Sequence, residues 1–328
     1  MACELWPGVR LHIVSGKGGT GKTTVASALA LALAEGGHRV LLVEVEGRQG
    51  IAQLFDLPPL AYEEQRIAVT SGGGEVLGQA IDAERAVLEY LRMFYNIKRA
   101  GGALKRLGAI DFATTIAPGL RDVLLTGKTG EAVRRRSGRS FVYGAVVMDA
   151  PPTGRITRFL NVNTEVATVT RVGPIRNQAD SVMRVLKSSE TAIHLVSLLE
   201  EMPVQETLDG LSELRSAGLP TGEVFVNQIH RELLPEEVLD SDEPVAQDEI
   251  AAGLLAAGVS PRLRTESLTH ALRVEAADHV TRVRLEQRER NRLVGHGISP
   301  IDLPLLRDGV DLGGLYELAA SIRERAPR

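Results

Sequence analysis

Residues 15–24 read SGKGGTGKTT, and this stretch decides the fold. It fits the pattern G-x-x-x-x-G-K-[ST], with Gly16 and Gly21 as the spaced glycines, Lys22 as the lysine and Thr23 as the hydroxyl. A loop that wraps phosphates with its backbone N–H groups needs glycine where the chain comes too close for a β-carbon or turns through positive φ. Lys22 can then reach the β and γ phosphates of ATP, while Thr23 can ligate Mg²⁺. The predicted nucleotide-binding residues of the loop are Gly16, Lys17, Gly18, Gly19, Thr20, Gly21, Lys22, Thr23 and Thr24.

The segments on either side of this loop predict a parallel sheet. RLHIVS before it is typical of a buried strand, TTVASALALALAE after it is typical of a helix, and residues 40–45 form a second apolar run. A helix between two apolar strands is a βαβ unit with a right-handed crossover. The alternative interpretation of residues 15–24 is an accidental glycine-rich turn. The chain order predicts an α/β fold, one doubly wound and mostly parallel sheet over residues 1–328 with a helical insertion.

A second informative stretch, FVYGAVVMDAPPTGRITRFL, follows at residues 141–160. Residues 145–148 predict a buried strand that ends in Asp149. A carboxylate at the C-terminal end of a parallel strand lies where such sheets bind ligands. Asp149 can therefore hold Mg²⁺, directly or through a water, opposite Thr23.

Two of these motifs resemble one group of ATPases. Lys17, directly after the first glycine, makes the loop similar to the deviant Walker A loop of partitioning ATPases, nitrogenase iron protein, and the arsenite-pump and tail-anchored-protein-targeting ATPases. DAPPTG at 149–154 resembles the D-T-A-P-T-G-H segment of the last two classes, with Arg155 in place of the histidine. The chain is thus identified as a member of the ArsA-like branch. It looks most similar to the actinobacterial anion-transporting ATPase homologues that work as two paralogues.

The resemblance implies several roles. The chain would bind ATP and Mg²⁺, hydrolyse ATP, and act as a homodimer or with a paralogous ATPase. Lys17 would cross the dimer interface to the partner's phosphates, as an arginine finger does in other NTPases, and Lys22 would stabilise charge on the γ phosphate. Pro152 would lie at the nucleotide, and the strand GEVFVNQI would deliver Asn227 and Gln228 to adenine. The alternative for Lys17 is a solvated side chain without a role at the interface. The alternative for Asn227 and Gln228 is an ordinary turn after the strand.

Glu46 takes the place where the resemblance puts an aspartate that orients or deprotonates the attacking water. Glutamate keeps the carboxylate but adds a methylene, and misplacing a catalytic group by about 1 Å can cost of order a hundredfold in rate. We therefore expect Glu46 to be catalytic, with hydrolysis that is slow or needs a partner. A structural role in capping the turn at the strand end is the alternative.

A helical subdomain is predicted at about residues 83–135, after a loop over residues 56–75 and a strand over 75–82. In the targeting ATPases that this chain resembles, the corresponding region binds a client. Its apolar and aromatic side chains recur at helical spacing, which also fits packing against the core. With five methionines in the chain, a Met-rich client groove is not evident.

The composition of the chain argues against several classes of partner and of cysteine-containing site. The formal net charge of −4 gives no reason to expect a nucleic-acid partner. Cys3 is the only cysteine, which excludes an internal disulfide, a Cys-pair zinc site and the cysteine site of the arsenite pump. MACELWPG lacks the regions of a secretory signal, and no apolar run is long enough to span a membrane, so we expect a soluble cytoplasmic protein.

Three hypotheses follow for the function. The first is an ATP-driven switch that binds a protein or hydrophobic client. The second is a nucleotide-binding regulatory subunit with little hydrolysis of its own, paired with an active paralogue. The third is a partitioning-type ATPase acting on DNA or a membrane surface, for which the C-terminal LGGLYELAASIRERAPR is the candidate amphipathic helix.

Overall fold

The computed structural model describes residues 5–82, 85, 86, 89, 118–161, 174–234, 245–259, 265–307 and 309–327. The strands are β1 (Leu11–Gly16), β2 (Arg39–Glu44), β3 (Gln65–Val69), β4 (Glu75–Ala80), β5 (Arg136–Ser137), β6 (Ser140–Phe141), β7 (Ala145–Asp149), β8 (Thr191–Ser197), β9 (Thr221–Ile229) and β10 (Ile301–Pro304). The helices are α1 (Lys22–Ala34), α2 (Gly50–Leu54), α3 (Pro118–Arg134), α4 (Thr153–Leu160), α5 (Pro174–Leu186), α6 (Glu201–Ser216), α7 (Gln247–Ala256), α8 (Thr265–Gly295) and α9 (Leu312–Arg325).

Within these residues, eight strands form one sheet in the order β10-β9-β8-β1-β7-β2-β4-β3. Every pairing is parallel except that of β3 with β4. The central strands β1, β7 and β8 are buried along their whole length, as expected of parallel strands covered on both faces. The order reverses around β1, so the phosphate loop that follows β1 lies at a topological switch point of the sheet. The predicted α/β, mostly parallel architecture is confirmed.

Two layers of helices cover the sheet, one on each face. Alternate side chains of β1 point to opposite sides, so that Leu11 and Ile13 join one apolar cluster and Val14 joins the other. The cluster around Val14 contains the apolar side chains of α1 and α9. The cluster around Ile13 contains those of α3, α4, α5 and α6. The helices that flank the phosphate loop and Asp149 are therefore anchored on opposite faces of one sheet.

The edges of the sheet differ from the sequence-based expectation. The prediction of a loop over residues 56–75 is wrong for Gln65–Val69, which forms the antiparallel edge strand β3. This strand is only half-buried, so its apolar alternation is weak beside the glycines and prolines around it. Helix α2 was also not expected from the sequence, because its five residues are too few to show helical periodicity.

The helical insertion is described only in part. The backbone N–H of Arg85 donates to the Asp82 carboxylate at 2.9 Å, which is the contact that an N-cap residue makes. Residues 83, 84, 87, 88 and 90–117 of the predicted helical region lie outside the described residues. In α3 the apolar side chains Val123, Leu124 and Leu125 are buried in the core rather than exposed to a client.

The C-terminal helix α9 packs against α1, with Leu315, Leu318 and Ile322 buried. Its apolar face is therefore covered by the protein and does not form a free membrane-binding surface. No helix in the described part of the chain has the length and apolar character needed to cross a bilayer.

Two histidines are stacked inside the sheet, His12 on β1 and His194 on β8, and both are fully buried. The Glu223 N–H donates to His194 Nδ1 at 3.0 Å, so His194 carries its proton on Nε2 and donates to His12 Nδ1 at 3.1 Å. Trp6 meets both rings edge-on. Burial lowers the pKa of His194 to about 3, and burial followed by the neighbouring His194 keeps the pKa of His12 well below its usual range.

This pair makes stability depend on pH. Because both pKa values are lower in the folded chain, the free energy of unfolding should be fully retained above about pH 6.5 and fall as the pH drops below it. Each histidine contributes a slope of about 1.4 kcal/mol per pH unit in that window. Urea unfolding from about pH 5 to about pH 8 measures the slope. His12→Phe keeps a stackable ring and should reduce it.

The matched control is His270→Gln, because His270 is exposed on α8. That variant should keep the wild-type dependence on pH. An unchanged slope in His12→Phe would contradict the assignment of acid sensitivity to the buried pair.

Candidate functional site

The phosphate loop connects the end of β1 to the start of α1 and needs glycine at two positions for different reasons. At Gly16 a β-carbon would overlap the backbone carbonyl oxygen of Val196 on β8. Gly21 has φ of 84°, and a β-carbon there would overlap the Asn227 side-chain amide. Gly18 and Gly19 are exposed, with open space where a β-carbon would lie. The loop therefore has a tightly packed base and an open tip on which phosphate oxygens can rest.

Thr23 and Asp149, the predicted metal ligands, are in direct contact. Thr23 Oγ1 donates to Asp149 Oδ2 at 2.7 Å, which joins the first turn of α1 to the end of β7. Asp149 is 8% exposed. Burial raises its pKa to about 6, against the opposing effects of the Thr23 hydrogen bond and the Lys22 charge. A buried carboxylate of this kind favours a cation beside it.

The Lys22 amine lies in the electrostatic field of the same carboxylate. Burial lowers the pKa of Lys22, and Asp149 and then Glu46 act in the opposite direction. Among the described residues, Lys22 forms no ion pair. Its charge is thus largely desolvated and unpaired, as required of a lysine that binds a phosphate.

Glu44, the last residue of β2, holds the segment that follows it. Its buried carboxylate accepts hydrogen bonds from the backbone N–H groups of Gln49 and Ile51, at the N-terminus of α2. Gly50 packs against the Thr23 side chain, where a β-carbon would lie 3.1 Å from Thr23 Cγ2. Residues 46–49 and Gly50 at the start of α2 therefore lie beside the predicted metal ligands, and we call residues 46–50 the β2 loop. Capping of this turn was the alternative role predicted for Glu46, and Glu44 makes the capping contacts.

Glu46 lies in the β2 loop and forms ion pairs with two arginines. Its Oε1 contacts Arg155 Nη2, from the first turn of α4, and its Oε2 is 3.4 Å from Arg48 Nη2. Both carboxylate oxygens therefore have a cationic partner. Glu46 was predicted to lie at the site, but its ion pair with Arg155 was not predicted.

Lys17 forms an ion pair within its own chain. Its Nζ lies 3.1 Å from Glu206 Oε1 on α6, and Thr153 Oγ1 at the start of α4 lies 3.5 Å from Glu206 Oε2. Both members of the pair are partly exposed, so the contact is weak enough to exchange with another partner. Glu206 was not singled out from the sequence.

The remaining predicted nucleotide-binding residues lie near the loop in different ways. Asn227 is buried, and its side-chain amide donates to the Thr20 carbonyl at 3.0 Å, so it supports the loop directly. Gln228 is exposed, with a φ of 57°. Pro152 precedes α4 next to Pro151, whose carbonyl accepts from Ser15 Oγ at 2.6 Å. Contact of Asn227, Gln228 and Pro152 with the nucleotide stays a prediction.

A cleft of about 770 Å³ opens beyond the end of β9. It is lined by residues 229–231 and 233, by Asp302 and Pro304 of β10 with the segment that follows them, and by α9 from Gly313 to Arg325. Its position beyond the strand that carries Asn227 suits a nucleotide base.

These residues fit a magnesium–nucleotide complex. The two glycines and the open tip form a cradle of backbone N–H groups, and Thr23 and Asp149 supply the oxygen ligands that Mg²⁺ prefers. In the described part of the chain, no group of three or more His, Cys, Asp or Glu side chains could hold a metal alone. A site with one carboxylate and one hydroxyl matches Mg²⁺, which normally completes its shell with water and substrate phosphates.

Comparison with known proteins agrees with this geometry. A family model described as anion-transporting ATPase matches residues 9–189, which include the phosphate loop, the β2 loop and Asp149. The chain is 52% identical over 336 residues to ATPase BagA of Mycobacterium tuberculosis, in a match that covers 98% of this chain and 96% of that protein. It is 27% identical over 273 residues to ATPase ARSA1 of Chlamydomonas reinhardtii, covering 66% of this chain and 35% of that one. The chain therefore belongs to the anion-transporting ATPase family.

Proposed function

We propose that this chain binds Mg²⁺ and ATP at the phosphate loop and hydrolyses the β–γ phosphate bond as a switch assembled from two subunits. The observation that carries this proposal is that the buried Lys22, which pairs with no carboxylate among the described residues, lies at the same edge of the sheet as the Thr23–Asp149 hydrogen bond. Lys22 would hold the γ phosphate and stabilise the charge that develops on it. Thr23 and Asp149 would hold Mg²⁺, which neutralises phosphate charge when bound.

Glu46 is the proposed orienting group for the attacking water. A carboxylate oxygen can accept more than one hydrogen bond, so Glu46 can accept one from that water while its oxygens contact the arginines. The two ion pairs stabilise the ionised carboxylate and therefore make it a weaker base. This is consistent with slow turnover or with turnover that depends on a partner.

Replacement of Lys22 tests the nucleotide site. Lys22→Ala should weaken ATP binding by roughly tenfold to a hundredfold, because a charge-assisted contact to phosphate is lost, and should reduce turnover to background. Fluorescence titration with a labelled ATP and a phosphate-release assay measure the two effects. Lys187→Ala removes an exposed lysine and serves as the control. Equal ATP affinity in Lys22→Ala and wild type would refute the assignment.

Replacement of Asp149 tests the metal site separately. Asp149→Asn keeps the size of the side chain and an oxygen for Thr23 but removes the negative charge, so Mg²⁺ should no longer strengthen ATP binding. The measurement is ATP affinity with Mg²⁺ and with a chelator. Asp209→Asn on the exposed surface of α6 is the matched control. A wild-type response to Mg²⁺ in Asp149→Asn would place the metal elsewhere.

We propose that Lys17 completes the site of a second subunit. Its present partner, Glu206, is partly exposed and reachable by solvent, so the lysine can leave it for a phosphate at low cost. The second subunit is either another copy or a paralogue. The protein or hydrophobic client of such a switch rests on the family resemblance alone.

Turnover should therefore depend on assembly. If the subunits are identical, ATP hydrolysis per chain should rise with protein concentration, because dimers become more abundant. Lys17→Ala should abolish that rise while leaving ATP binding within about twofold, since Lys22 still holds the phosphates of its own chain. Light scattering with ATP bound gives the mass. A monomer whose turnover per chain is independent of concentration, with or without its paralogue, would contradict the assembled site.

A second candidate is a nucleotide-binding regulatory subunit with little hydrolysis. The observation that favours it is the pairing of both Glu46 oxygens with arginines. The two candidates separate when turnover is measured for the chain alone and with its paralogue, with Lys22→Ala as the control. Background turnover in both conditions, with ATP still bound, would favour the regulatory subunit.

A further inference from the structure

Arg155 occupies a place where a helix does not favour a positive charge. It is the third residue of α4, and the N-terminal turn of a helix carries the positive end of the helix dipole. Its side chain is 60% exposed. The contact it makes is instead electrostatic, with the Glu46 carboxylate across 109 residues of sequence. An anion in front of α4 therefore offsets the unfavourable position.

The pair lies at the end of the site where the γ phosphate is expected. Glu46 follows β2, whose last residue Glu44 is in register with Asp149 on β7. The β2 loop then returns to pack Gly50 against Thr23. Glu46 and Arg155 thus lie beside the metal ligands.

The electrostatics place these groups within range of one another. Arg48 and Arg155 both lower the pKa of Lys22, whereas Asp149 and Glu46 raise it, with burial as the largest effect. Three cations and two carboxylates therefore share one small region, and an anion with more charge than a carboxylate would compete for the cations. The terminal phosphate of ATP is such an anion, and ADP lacks it.

We propose that Arg155 is an ATP sensor that pairs with Glu46 in the absence of the γ phosphate and with the γ phosphate oxygens when ATP is bound. This inference rests on the proposed nucleotide site and adds a residue to it. The exchange removes one of the two cations that contact the Glu46 carboxylate, which makes that carboxylate a stronger acceptor for a water molecule. A guanidinium suits this exchange because its planar donors match carboxylate and phosphate oxygens equally well.

The experiment compares the affinities for a non-hydrolysable ATP analogue and for ADP, both with Mg²⁺, by titration calorimetry. It uses the full chain and requires no turnover. Arg155→Gln should weaken analogue binding by about tenfold to a hundredfold and leave ADP binding within about twofold, because only the γ phosphate loses a charged partner. Arg155→Lys keeps the charge and should retain part of the preference. Arg215→Gln, on the exposed end of α6, is the control.

Glu46→Gln separates sensing from simple support of the loop. If Arg155 binds the γ phosphate, removing its carboxylate competitor should increase the preference for the analogue over ADP. If Arg155 only holds Glu46 in place, Glu46→Gln and Arg155→Gln should change the two affinities in the same way, which would overturn the proposal. Equal weakening of both ligands in Arg155→Gln, or no change in either, would also overturn it.

The outcome also distinguishes this inference from the proposed function. A wild-type chain that binds neither nucleotide would reject both. A wild-type chain that binds both nucleotides, and an Arg155→Gln variant that keeps the wild-type ratio of affinities, would reject the sensor alone.

Discussion

The hydrogen bond from Thr23 to Asp149 is the contact on which the geometry of this site depends. It joins the first turn of α1, which follows β1, to the end of β7, the strand that pairs with β1 in the sheet. Because Asp149 is buried and its pKa is raised, the carboxylate is costly to keep ionised without a nearby cation. Lys22 reduces that cost, and a divalent cation would reduce it further. The edge of the sheet where its parallel strands end therefore favours the binding of a cation beside Asp149.

The groups around this contact are balanced by pairing within the chain. Glu44 accepts hydrogen bonds from backbone N–H groups. Glu46 forms ion pairs with Arg48 and Arg155, and Lys17 forms one with Glu206. Lys22 differs, because no carboxylate in the described residues pairs with it directly. Among the described residues, a polyanion that enters here meets one cation without a carboxylate partner, Lys22, and three cations that are held by partly exposed ion pairs. Such contacts contribute little to stability, so they can exchange at little cost to the fold.

The sequence predicted those parts of the site that depend on local pattern. The phosphate loop and Asp149 could be placed because buried parallel strands bring their C-terminal ends to one edge, whatever the details of packing. The half-buried β3 and the short α2 could not, because neither presents a clear period. The partners of Glu46 and Lys17 could not either. They depend on how α4 and α6 are rotated on the sheet, which is decided by core packing and not by spacing along the chain.

The start of α4 connects the two pairings that matter most. Thr153 contacts Glu206, which holds Lys17, and two residues later Arg155 contacts Glu46. One turn of helix therefore contacts both the carboxylate that pairs with Lys17 and the carboxylate proposed to orient water. Because α4 is anchored in the core by Ile156, Phe159 and Leu160, the packing of this one helix sets the positions of both contacts. The ion pairs of Lys17 and Glu46 therefore share one structural support, although Glu206 and Glu46 lie far apart in the sequence.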